Sequence, residues 1–256
     1  MKYSVIIQAR RGSTRLPGKI LYSVKDKTLL EFGIERIKKA KLVNQIIVAT
    51  TTLDRDDVIE DIAKKCGVEV FRGSEEDVLA RYYYAARYNN VQTVIRITSD
   101  CPLIDPNIID LAINEYERTQ CDILTNVPNN GEKLTYPRGM DVEIFSMKLL
   151  EDAFFNAEKK YEREHVTPYL YKNKNNVYYM RSPKDYSKYR LTLDTQEDLE
   201  VIIRIIDNIG DDNNDFNLND IADYLEKNPN IKKINEEVKQ KEAYIWYILE
   251  LMRMQK

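Results

Sequence analysis

Short apolar runs alternate with amphipathic stretches through the first half of the chain, and this alternation limits the folds open to it. The apolar runs are rich in Val and Ile and predict strands at residues 3–7, 45–50, 68–71, 93–97 and 121–124. Helical spacing of apolar residues predicts helices at residues 28–40, 54–66, 77–88 and 107–118. Strands and helices in alternation are typical of an α/β fold in which helices cover both faces of a mostly parallel sheet.

The expected strand order determines where a ligand would bind. In the order 3-2-1-4, which is common in open parallel sheets, the first and fourth strands are neighbours. Successive strands are added on one side of the first strand up to strand three, and strand four is added on its other side, so the strand order reverses between strands one and four. Ligands bind outside the carboxyl ends of the strands at that reversal. We therefore expect the loop at residues 98–105 to face the loop at residues 10–19.

The loop that follows the first strand is strongly cationic. It places four cations in ten positions, with small residues between them: Arg10, Arg11, Arg15 and Lys19, and Gly12, Ser13 and Gly18. Glycine lets backbone N–H groups turn toward an anion, while Arg and Lys neutralise the anion from the sides. A basic turn that only faces solvent is the alternative, but the position after the first strand favours phosphate binding.

Two aspartates are candidates for a metal site. Asp100 follows the fourth strand, and Mg²⁺ prefers one or two carboxylates together with phosphate oxygens and water. The alternative for Asp100 is to cap a turn before Pro102. Asp194 precedes Thr195, the predicted N-cap of a helix with Asp198 at its capping-box position. Asp194 could therefore assist this cap or share a metal ion with Asp100, and both alternatives stay open.

Other elements follow from cap residues and from periodicity. Asp54 is the predicted N-cap of the second helix, and Gly67 is predicted to end it. Asp141 and Glu143 alternate with apolar residues and so share one face of a predicted strand. The remaining predictions are a helix at residues 147–157, extended segments at 177–180 and 189–193, a helix from Thr195 to 209, and mostly helix from 217 to 255.

Composition excludes several classes of protein. The net charge of −3 argues against a protein that binds nucleic acid duplexes. No apolar run reaches bilayer length, so we expect no membrane insertion, and a strand that starts at residue 3 leaves no room for a signal peptide. Cys66, Cys101 and Cys121 lack a Cys-x-x-Cys spacing, which predicts free thiols in the cytoplasm rather than a zinc site.

Several motifs together resemble a known family. The run Gln8-Ala9-Arg10-x-x-Ser13-x-Arg15-Leu16-Pro17-Gly18-Lys19 resembles the N-terminal signature of the cytidylyltransferases that make CMP-sugars, such as those acting on acylneuraminate and 3-deoxy-manno-octulosonate. Four later segments are similar to the spore-coat polysaccharide biosynthesis branch of that family: residues 99–104, 136–143, 163–169 and 193–199. The similarity runs from residue 3 to about residue 241.

The resemblance implies a three-layer α/β/α nucleotidyltransferase fold of the glycosyltransferase-A-like, Rossmann-like type, and an enzyme that uses CTP and Mg²⁺ and releases pyrophosphate. It implies that Asp100 and Asp194 hold the metal and that Lys19, Arg10 and Asp100 are catalytic. The implied nucleotide-binding residues are Ala9, Arg10, Arg11, Gly12, Ser13, Arg15, Lys19 and Ser99. One domain is expected over residues 1–256, with a nucleotide-binding half (1–126), an acceptor-binding half (127–210) and C-terminal helices (211–256).

The acceptor is expected to be an anionic sugar, either a sugar acid or a sugar phosphate, in surface or coat polysaccharide biosynthesis. Its candidate ligands are Arg138, Asp141, Glu143 and His165, because cations suit the acid and carboxylates suit sugar hydroxyls. His165 could instead be a buried, hydrogen-bonded structural residue. The apolar residues at 244–249 could pack on their own domain or form a homodimer contact.

Two other functions stay open. A glycosyltransferase would also use a nucleotide and an Asp-bound metal, but it would take a preformed nucleotide sugar and leave the cationic loop unexplained. A non-catalytic nucleotide-binding protein would need neither Asp100 nor Asp194.

Overall fold

A seven-stranded sheet forms the centre of the computed structural model, which describes residues 2–129, 131–174, 176–210 and 215–239. The strands are β1 (Tyr3–Gln8), β2 (Ser23–Val24), β3 (Lys27–Thr28), β4 (Gln45–Thr51), β5 (Glu69–Gly73), β6 (Thr93–Thr98), β7 (Ile123–Thr125), β8 (Glu143–Ser146) and β9 (Val177–Tyr179). β2 and β3 form a separate hairpin, and the others follow the order β5-β4-β1-β6-β8-β7-β9. β8 runs antiparallel to β6 and β7, while the other neighbouring pairs are parallel.

Helices cover both faces of this sheet. They are α1 (Leu29–Ile37), α2 (Asp57–Lys65), α3 (Val78–Tyr88), α4 (Pro106–Thr119), α5 (Met147–Asn156), α6 (Lys160–His165), α7 (Pro168–Asn173), α8 (Gln196–Ile209), α9 (Leu218–Lys227) and α10 (Pro229–Lys232). One apolar core includes residues of α1, α2, α4, α8 and α9, and the other includes residues of α3, α5 and α7. The predicted three-layer α/β/α architecture with a mostly parallel central sheet is confirmed.

The central strands are apolar on both faces because both faces are covered. In β1, Val5 and Ile7 belong to one core and Ile6 belongs to the other, as the two-residue period of a strand requires. In β6, Ile95 and Val94 divide between the two cores in the same way. This pattern is typical of buried parallel strands, and it explains why the strand predictions in the first half of the chain succeed.

The predicted order of the first four sheet strands is confirmed. In chain order these strands are β1, β4, β5 and β6, and they lie side by side as β5-β4-β1-β6. The helix ends at Gly67 and Thr195 are also confirmed. Gly67 takes a left-handed φ of 62° after α2. The Thr195 side chain accepts the Asp198 N–H in a capping box, and α8 runs to Ile209.

One local prediction is wrong. Asp54 is not an N-cap; it starts a short 3₁₀ turn, Asp54–Asp56, and α2 begins at Asp57. The extended segment predicted at residues 189–193 joins the sheet at no strand, and Arg190 makes an isolated parallel bridge with Arg138. The predicted apolar helix end at residues 244–249 lies outside the described residues.

None of the described helices is long and apolar enough to cross a membrane. The thiols of Cys66, Cys101 and Cys121 are free, as predicted.

Candidate active site

The loops after β1 and β6 meet at the carboxyl edge of the sheet. β1 and β6 are hydrogen-bonded neighbours along their whole length, and the Ser99 N–H extends the pairing by donating to the Gln8 carbonyl at 3.2 Å. The side chain of Lys19 crosses from the first loop to Asp100 in the second. The prediction that these loops face each other is therefore confirmed.

An ammonium group lies between the two predicted metal carboxylates. The Nζ atom of Lys19 is 3.3 Å from Oδ2 of Asp100 and 2.9 Å from Oδ1 of Asp194. Lys19 opens a short 3₁₀ turn directly after Gly18, whose φ of 68° is left-handed. Residues far apart in the sequence thus converge on one point at the sheet edge.

Further cations surround Asp194. Its Oδ2 atom is 2.7 Å from Nη2 of Arg15 and 3.2 Å from Nη2 of Arg190. Arg190 in turn grips both carboxylate oxygens of Asp198, through Nε at 2.9 Å and Nη2 at 3.1 Å. Such a two-point contact fixes the guanidinium in direction as well as in distance. Asp194 is therefore held from one side by an Arg that is itself anchored.

Asp198 provides that anchor from a fully buried position at the start of α8. Its Oδ2 atom accepts the backbone N–H groups of Asp194 and Thr195, each at 3.1 Å, and its Oδ1 atom accepts Nδ2 of Asn235 at 2.9 Å. The sequence identifies Asp198 only as a capping residue. Arg190 was missed altogether, because the sequence around an extended segment does not indicate which buried partner its side chain meets.

The charges of this cluster stabilise one another. Burial lowers the pKa of Lys19, but Asp100 and Asp194 outweigh that effect and the pKa is raised. Burial raises the pKa of Asp194, but Lys19, Arg15 and Arg190 outweigh it and the pKa lies below its usual value. Asp194 is therefore ionised at neutral pH and can act as a ligand for a cation.

Backbone contacts fix Asp100 against the segment that carries Asp194. The Leu193 N–H donates to the Asp100 carbonyl at 2.8 Å, and the Leu191 N–H donates to the Arg138 carbonyl at 2.7 Å. Gly139 fits between these contacts with a left-handed φ of 99°, and a Cβ atom there would lie 2.3 Å from the carbonyl carbon of Leu191. Only glycine fits at this position without a shift of the backbone.

The cationic loop divides into two parts. Arg15 and Lys19 face the aspartates, whereas Arg10 lies beside the loop that follows β5 and Arg11 lies beside the turn between β4 and α2. Arg10 pairs with Glu75 at 3.5 Å and keeps 41% of its side chain exposed. The Arg11 N–H donates to Asp56 at 2.8 Å. This contact explains why Asp56 does not cap α2.

The small residues of the loop shape its backbone. Ala9 is buried, and its N–H donates to the Ala49 carbonyl at 3.1 Å. The Gly18 N–H donates to the Arg11 carbonyl at 3.1 Å, and the Ser13 hydroxyl accepts the Leu16 N–H at 3.4 Å. A Cβ on Gly12 would lie 3.0 Å from a Glu75 carboxylate oxygen. The loop therefore closes on itself around the Arg11 carbonyl.

Asp141 lies near Asp100 in a partly buried position. Its pKa is raised from 3.8 to about 6, mainly by burial; Arg138 opposes the shift, and the charges of Asp100 and Glu143 add to it. Asp141 is the member of the predicted acceptor set with the most perturbed carboxyl. Such a perturbation, next to a charged cluster at a sheet edge, is typical of a functional site.

Side chains of the protein contact both carboxylate oxygens of Glu143. Arg96 of β6 pairs with one of its oxygens, and the hydroxyls of Thr167 (3.0 Å) and Tyr171 donate to the other. The Arg96 Nη2 atom also reaches the side-chain oxygen of Gln8 at 3.3 Å. Glu143 thus joins the sheet to the α6–α7 segment, and this network was not predicted from the sequence.

His165 is exposed rather than buried, contrary to the structural alternative given to it above. It ends α6, and the next residue, Val166, takes the core position with φ 71° and ψ −56°. The Thr167 N–H donates to the His165 carbonyl at 2.8 Å, which closes a strained γ-turn. Desolvation by nearby protein atoms lowers the pKa of His165, with Arg96 adding to the effect and Glu164 opposing it.

The aspartate pair suits a divalent cation that arrives with phosphate. One oxygen each of Asp100 and Asp194 already points to the same ammonium group. Hard carboxylate oxygens are the donors that Mg²⁺ prefers, and Mg²⁺ is commonly bound by one or two carboxylates with phosphate oxygens and water completing the shell. The residues therefore fit a magnesium ion bound together with a polyphosphate.

Comparisons with known proteins agree on one family. A family model for cytidylyltransferases matches residues 4–245. The chain is 41% identical to a cytidylyltransferase from Leptospira borgpetersenii serovar Hardjo-bovis of known structure, with a TM-score of 0.84 and coverage of 94% of this chain and 99% of that one.

Two curated relatives have names that give a biosynthetic process and a substrate, respectively. The chain is 32% identical over 234 residues to the spore coat polysaccharide biosynthesis protein SpsF of Bacillus subtilis, and the alignment covers 88% of this chain and 94% of that protein. The chain is 30% identical over 229 residues to the 3-deoxy-manno-octulosonate cytidylyltransferase of Trichlorobacter lovleyi, and the alignment covers 80% of this chain and 89% of that protein.

Proposed function

The chain belongs to the cytidylyltransferase family of nucleotidyltransferases, as the resemblance predicted, and on that premise we propose that it transfers CMP from CTP to an anionic sugar. The observation that carries the proposal is the placement of Lys19 between Asp100 and Asp194 at the edge where β1 and β6 meet. A cationic loop and a carboxylate pair at one point are the parts that a metal-bound triphosphate needs.

The reaction is a single displacement at phosphorus. An acceptor oxygen forms a bond to the α-phosphorus of CTP, the bond from that phosphorus to the bridging oxygen breaks, and pyrophosphate leaves with the electron pair. Such a transfer depends on positioning and charge neutralisation more than on covalent help from the protein. Asp100 and Asp194 would hold Mg²⁺, whose charge stabilises the phosphate oxygens.

Cations of the loop then act on the leaving group. Lys19 and Arg15 lie where the aspartates would present the triphosphate, and Arg10 keeps much of its guanidinium exposed on the same loop. Negative charge grows on pyrophosphate as the bond breaks, so fixed cations at this place stabilise the transition state more than the ground state.

The acceptor side of the proposal rests on the second half of the chain. Asp141 lies near Asp100 and suits sugar hydroxyls, and Arg138 lies near Asp141 and suits an acid group. His165 is exposed near Arg96 and could reach a bound sugar. Glu143 would position Arg96 and the α6–α7 segment rather than bind the sugar itself. The names of the relatives support a sugar acid and a role in polysaccharide biosynthesis.

A pyrophosphate-release assay tests the function. The protein is incubated with Mg²⁺, each of the four nucleoside triphosphates and a panel of sugar acids and sugar phosphates. We expect release only with CTP and an anionic sugar, in equal amount with a CMP-sugar. Asp194→Asn should abolish it, whereas Asn208→Ala, on the exposed face of α8, should not.

Two outcomes would replace the proposal. Release of a nucleotide from a preformed nucleotide sugar would identify a glycosyltransferase. Binding of CTP without turnover, unchanged by Asp100→Ala, would identify a nucleotide-binding protein that is not an enzyme.

A further inference from the structure

Lys19 occupies the space in which a metal ion would meet its carboxylates. The same two oxygens that a shared ion would use, Oδ2 of Asp100 and Oδ1 of Asp194, are 3.3 Å and 2.9 Å from the ammonium nitrogen. Only 14% of the Lys19 side chain is exposed, so the ammonium is part of the site and not a solvated group above it. Mg²⁺ requires oxygens at about 2.0–2.1 Å in octahedral geometry. The ion and the ammonium cannot share that space.

The charges are balanced without a divalent ion. Three cations, Lys19, Arg15 and Arg190, face three carboxylates, Asp100, Asp194 and Asp198. A divalent cation that entered alone would leave this partly buried cluster with excess positive charge. Such an excess is costly where the effective dielectric constant is below that of water.

The donor set is also incomplete without a ligand. Within residues 2–129, 131–174, 176–210 and 215–239, no group of three or more His, Cys, Asp or Glu side chains is placed to hold a metal. Two carboxylates leave most of an octahedral shell to water or phosphate oxygens. A triphosphate supplies these oxygens, and its negative charge offers new partners to Lys19 and Arg15.

Arg190 differs from these two cations because it cannot leave. Its guanidinium is held by both oxygens of the fully buried Asp198, which also accepts three further N–H groups. When Lys19 and Arg15 turn to phosphate, Arg190 keeps Asp194 in position. The cluster therefore contains two exchangeable cations and one fixed cation.

We propose that Lys19 is a resident counter-cation that closes the Asp100–Asp194 metal site until a nucleoside triphosphate draws it away. The inference rests on the proposed function in taking Asp100 and Asp194 as the metal ligands. It means that the metal enters the site with the nucleotide and binds poorly before it. Lys19 thus couples the binding of metal to the binding of triphosphate.

Manganese binding, measured by the electron paramagnetic resonance signal of free Mn²⁺, tests this coupling without turnover. The full-length chain is titrated with and without a CTP analogue that carries a methylene bridge between its α- and β-phosphates. After subtraction of the Mn²⁺ that the analogue chelates without protein, we expect the analogue to tighten Mn²⁺ binding at least tenfold in the wild-type protein. Lys19→Met keeps the apolar part of the side chain and should tighten binding at least tenfold without the analogue.

Two controls separate the blocking role from a general change of charge. Arg15→Met also removes a cation from Asp194 but leaves the ammonium between the carboxylates, so we expect a change of about threefold or less. Adding Asp194→Asn to Lys19→Met should remove the gain. Thermal melts of each variant confirm that it folds.

The proposal is overturned if Lys19→Met folds and does not tighten Mn²⁺ binding in the absence of the analogue. If that variant does not fold, the wild-type protein still decides, because equal affinity for Mn²⁺ with and without the analogue would also overturn it. Coupling is reciprocal, so Mn²⁺ should raise the affinity for the analogue by the same factor. Failure of the proposed function would look different: Asp194→Asn would leave Mn²⁺ binding unchanged in the presence of the analogue.

Discussion

At the scale of single residues, Lys19 supplies positive charge to the site. Its Nζ atom contacts two carboxylates, and its neighbour Ile20 is the fully buried residue of the same turn. Removing the ammonium should therefore affect the reaction far more than the fold.

We expect Lys19→Ala to lower kcat by about 10²–10³-fold, because loss of one group that stabilises transition-state charge has that magnitude. The thermal midpoint should change by no more than a few degrees. Steady-state pyrophosphate release and a thermal melt measure the two effects. Lys41→Ala removes an exposed lysine from a distant loop and should change neither. Full activity of Lys19→Ala would show that the loop has another role.

Asp141 gives a pH dependence whose sign follows from its raised pKa. Because burial raises the pKa in the folded chain from 3.8 to about 6, the folded state binds the proton more tightly than the unfolded state. The contribution of Asp141 to the free energy of unfolding is therefore complete below pH 4 and is lost as the pH rises through about 6.

We expect Asp141→Asn to remove this loss. Urea unfolding is measured without metal or nucleotide. Between pH 4 and pH 7, the free energy of unfolding of the variant should rise by about 1–2 kcal/mol relative to that of the wild-type protein. One pKa unit is worth about 1.4 kcal/mol, and the expected value is reduced because the side chain is only partly buried. Parallel pH profiles of the two proteins would mean that Asp141 ionises normally.

At the scale of elements, the site depends on contacts between segments that are not neighbours in the sheet. Gly139 packs against the backbone at Leu191 with a left-handed φ, so that the turn before β8 supports the segment before α8. We expect Gly139→Ala to lower the free energy of unfolding by about 2–4 kcal/mol, from backbone strain of 1–2 kcal/mol and a steric clash. Urea unfolding measures the change.

Gly18→Ala is a matched control for that substitution. Gly18 has a left-handed φ of 68° as well, but no atom lies within 4 Å of its added Cβ. It should therefore show the backbone cost alone, about 1 kcal/mol. If the two variants lose equal free energy of unfolding, the close approach of residue 139 to Leu191 does not contribute to the loss.

The pair Arg96–Glu143 joins β6, β8 and the α6–α7 segment. Only 17% and 10% of their side chains are exposed, so an unpaired charge here is costly. We expect Glu143→Gln, which keeps an oxygen for Thr167 and Tyr171, to lower the free energy of unfolding by about 2–4 kcal/mol. Adding Arg96→Met should recover most of the loss, because both charges are then gone.

The exposed pair Glu200–Arg204 on α8 is the control for that cycle, with 46% and 47% of the side chains exposed. Glu200→Gln should change the free energy of unfolding by less than about 0.5 kcal/mol. If Glu143→Gln costs no more than Glu200→Gln, the pair does not hold the two segments together.

At the scale of the whole molecule, the first half could be predicted from the sequence because its signals are local. Strand and helix alternate with clear periodicity, and the 3-2-1-4 order then places the loops of Lys19 and Asp100 together. The second half could not be predicted in the same way. β8 inserts antiparallel between β6 and β7, which depends on pairing between distant segments that no local pattern specifies.

The same limit applies to the site. Asp100 and Asp194 were found because each follows or precedes a recognisable element. Arg190 and Arg96 were missed because their roles come from buried partners, Asp198 and Glu143, that only the tertiary structure brings near. The structural alternative for His165 was a buried position, but the γ-turn that follows places Val166 in the core and leaves His165 exposed, and no local pattern in the sequence indicates that turn.

A crystal of the full chain soaked with Mn²⁺ and the methylene-bridged CTP analogue, with data collected at the manganese absorption edge, would locate the ion. We expect an anomalous peak between Asp100 and Asp194, bonded to both carboxylates and to phosphate oxygens, with Lys19 moved onto the phosphates. A triphosphate bound elsewhere, or a peak that touches neither aspartate, would show that this sheet edge is not the site of nucleotidyl transfer.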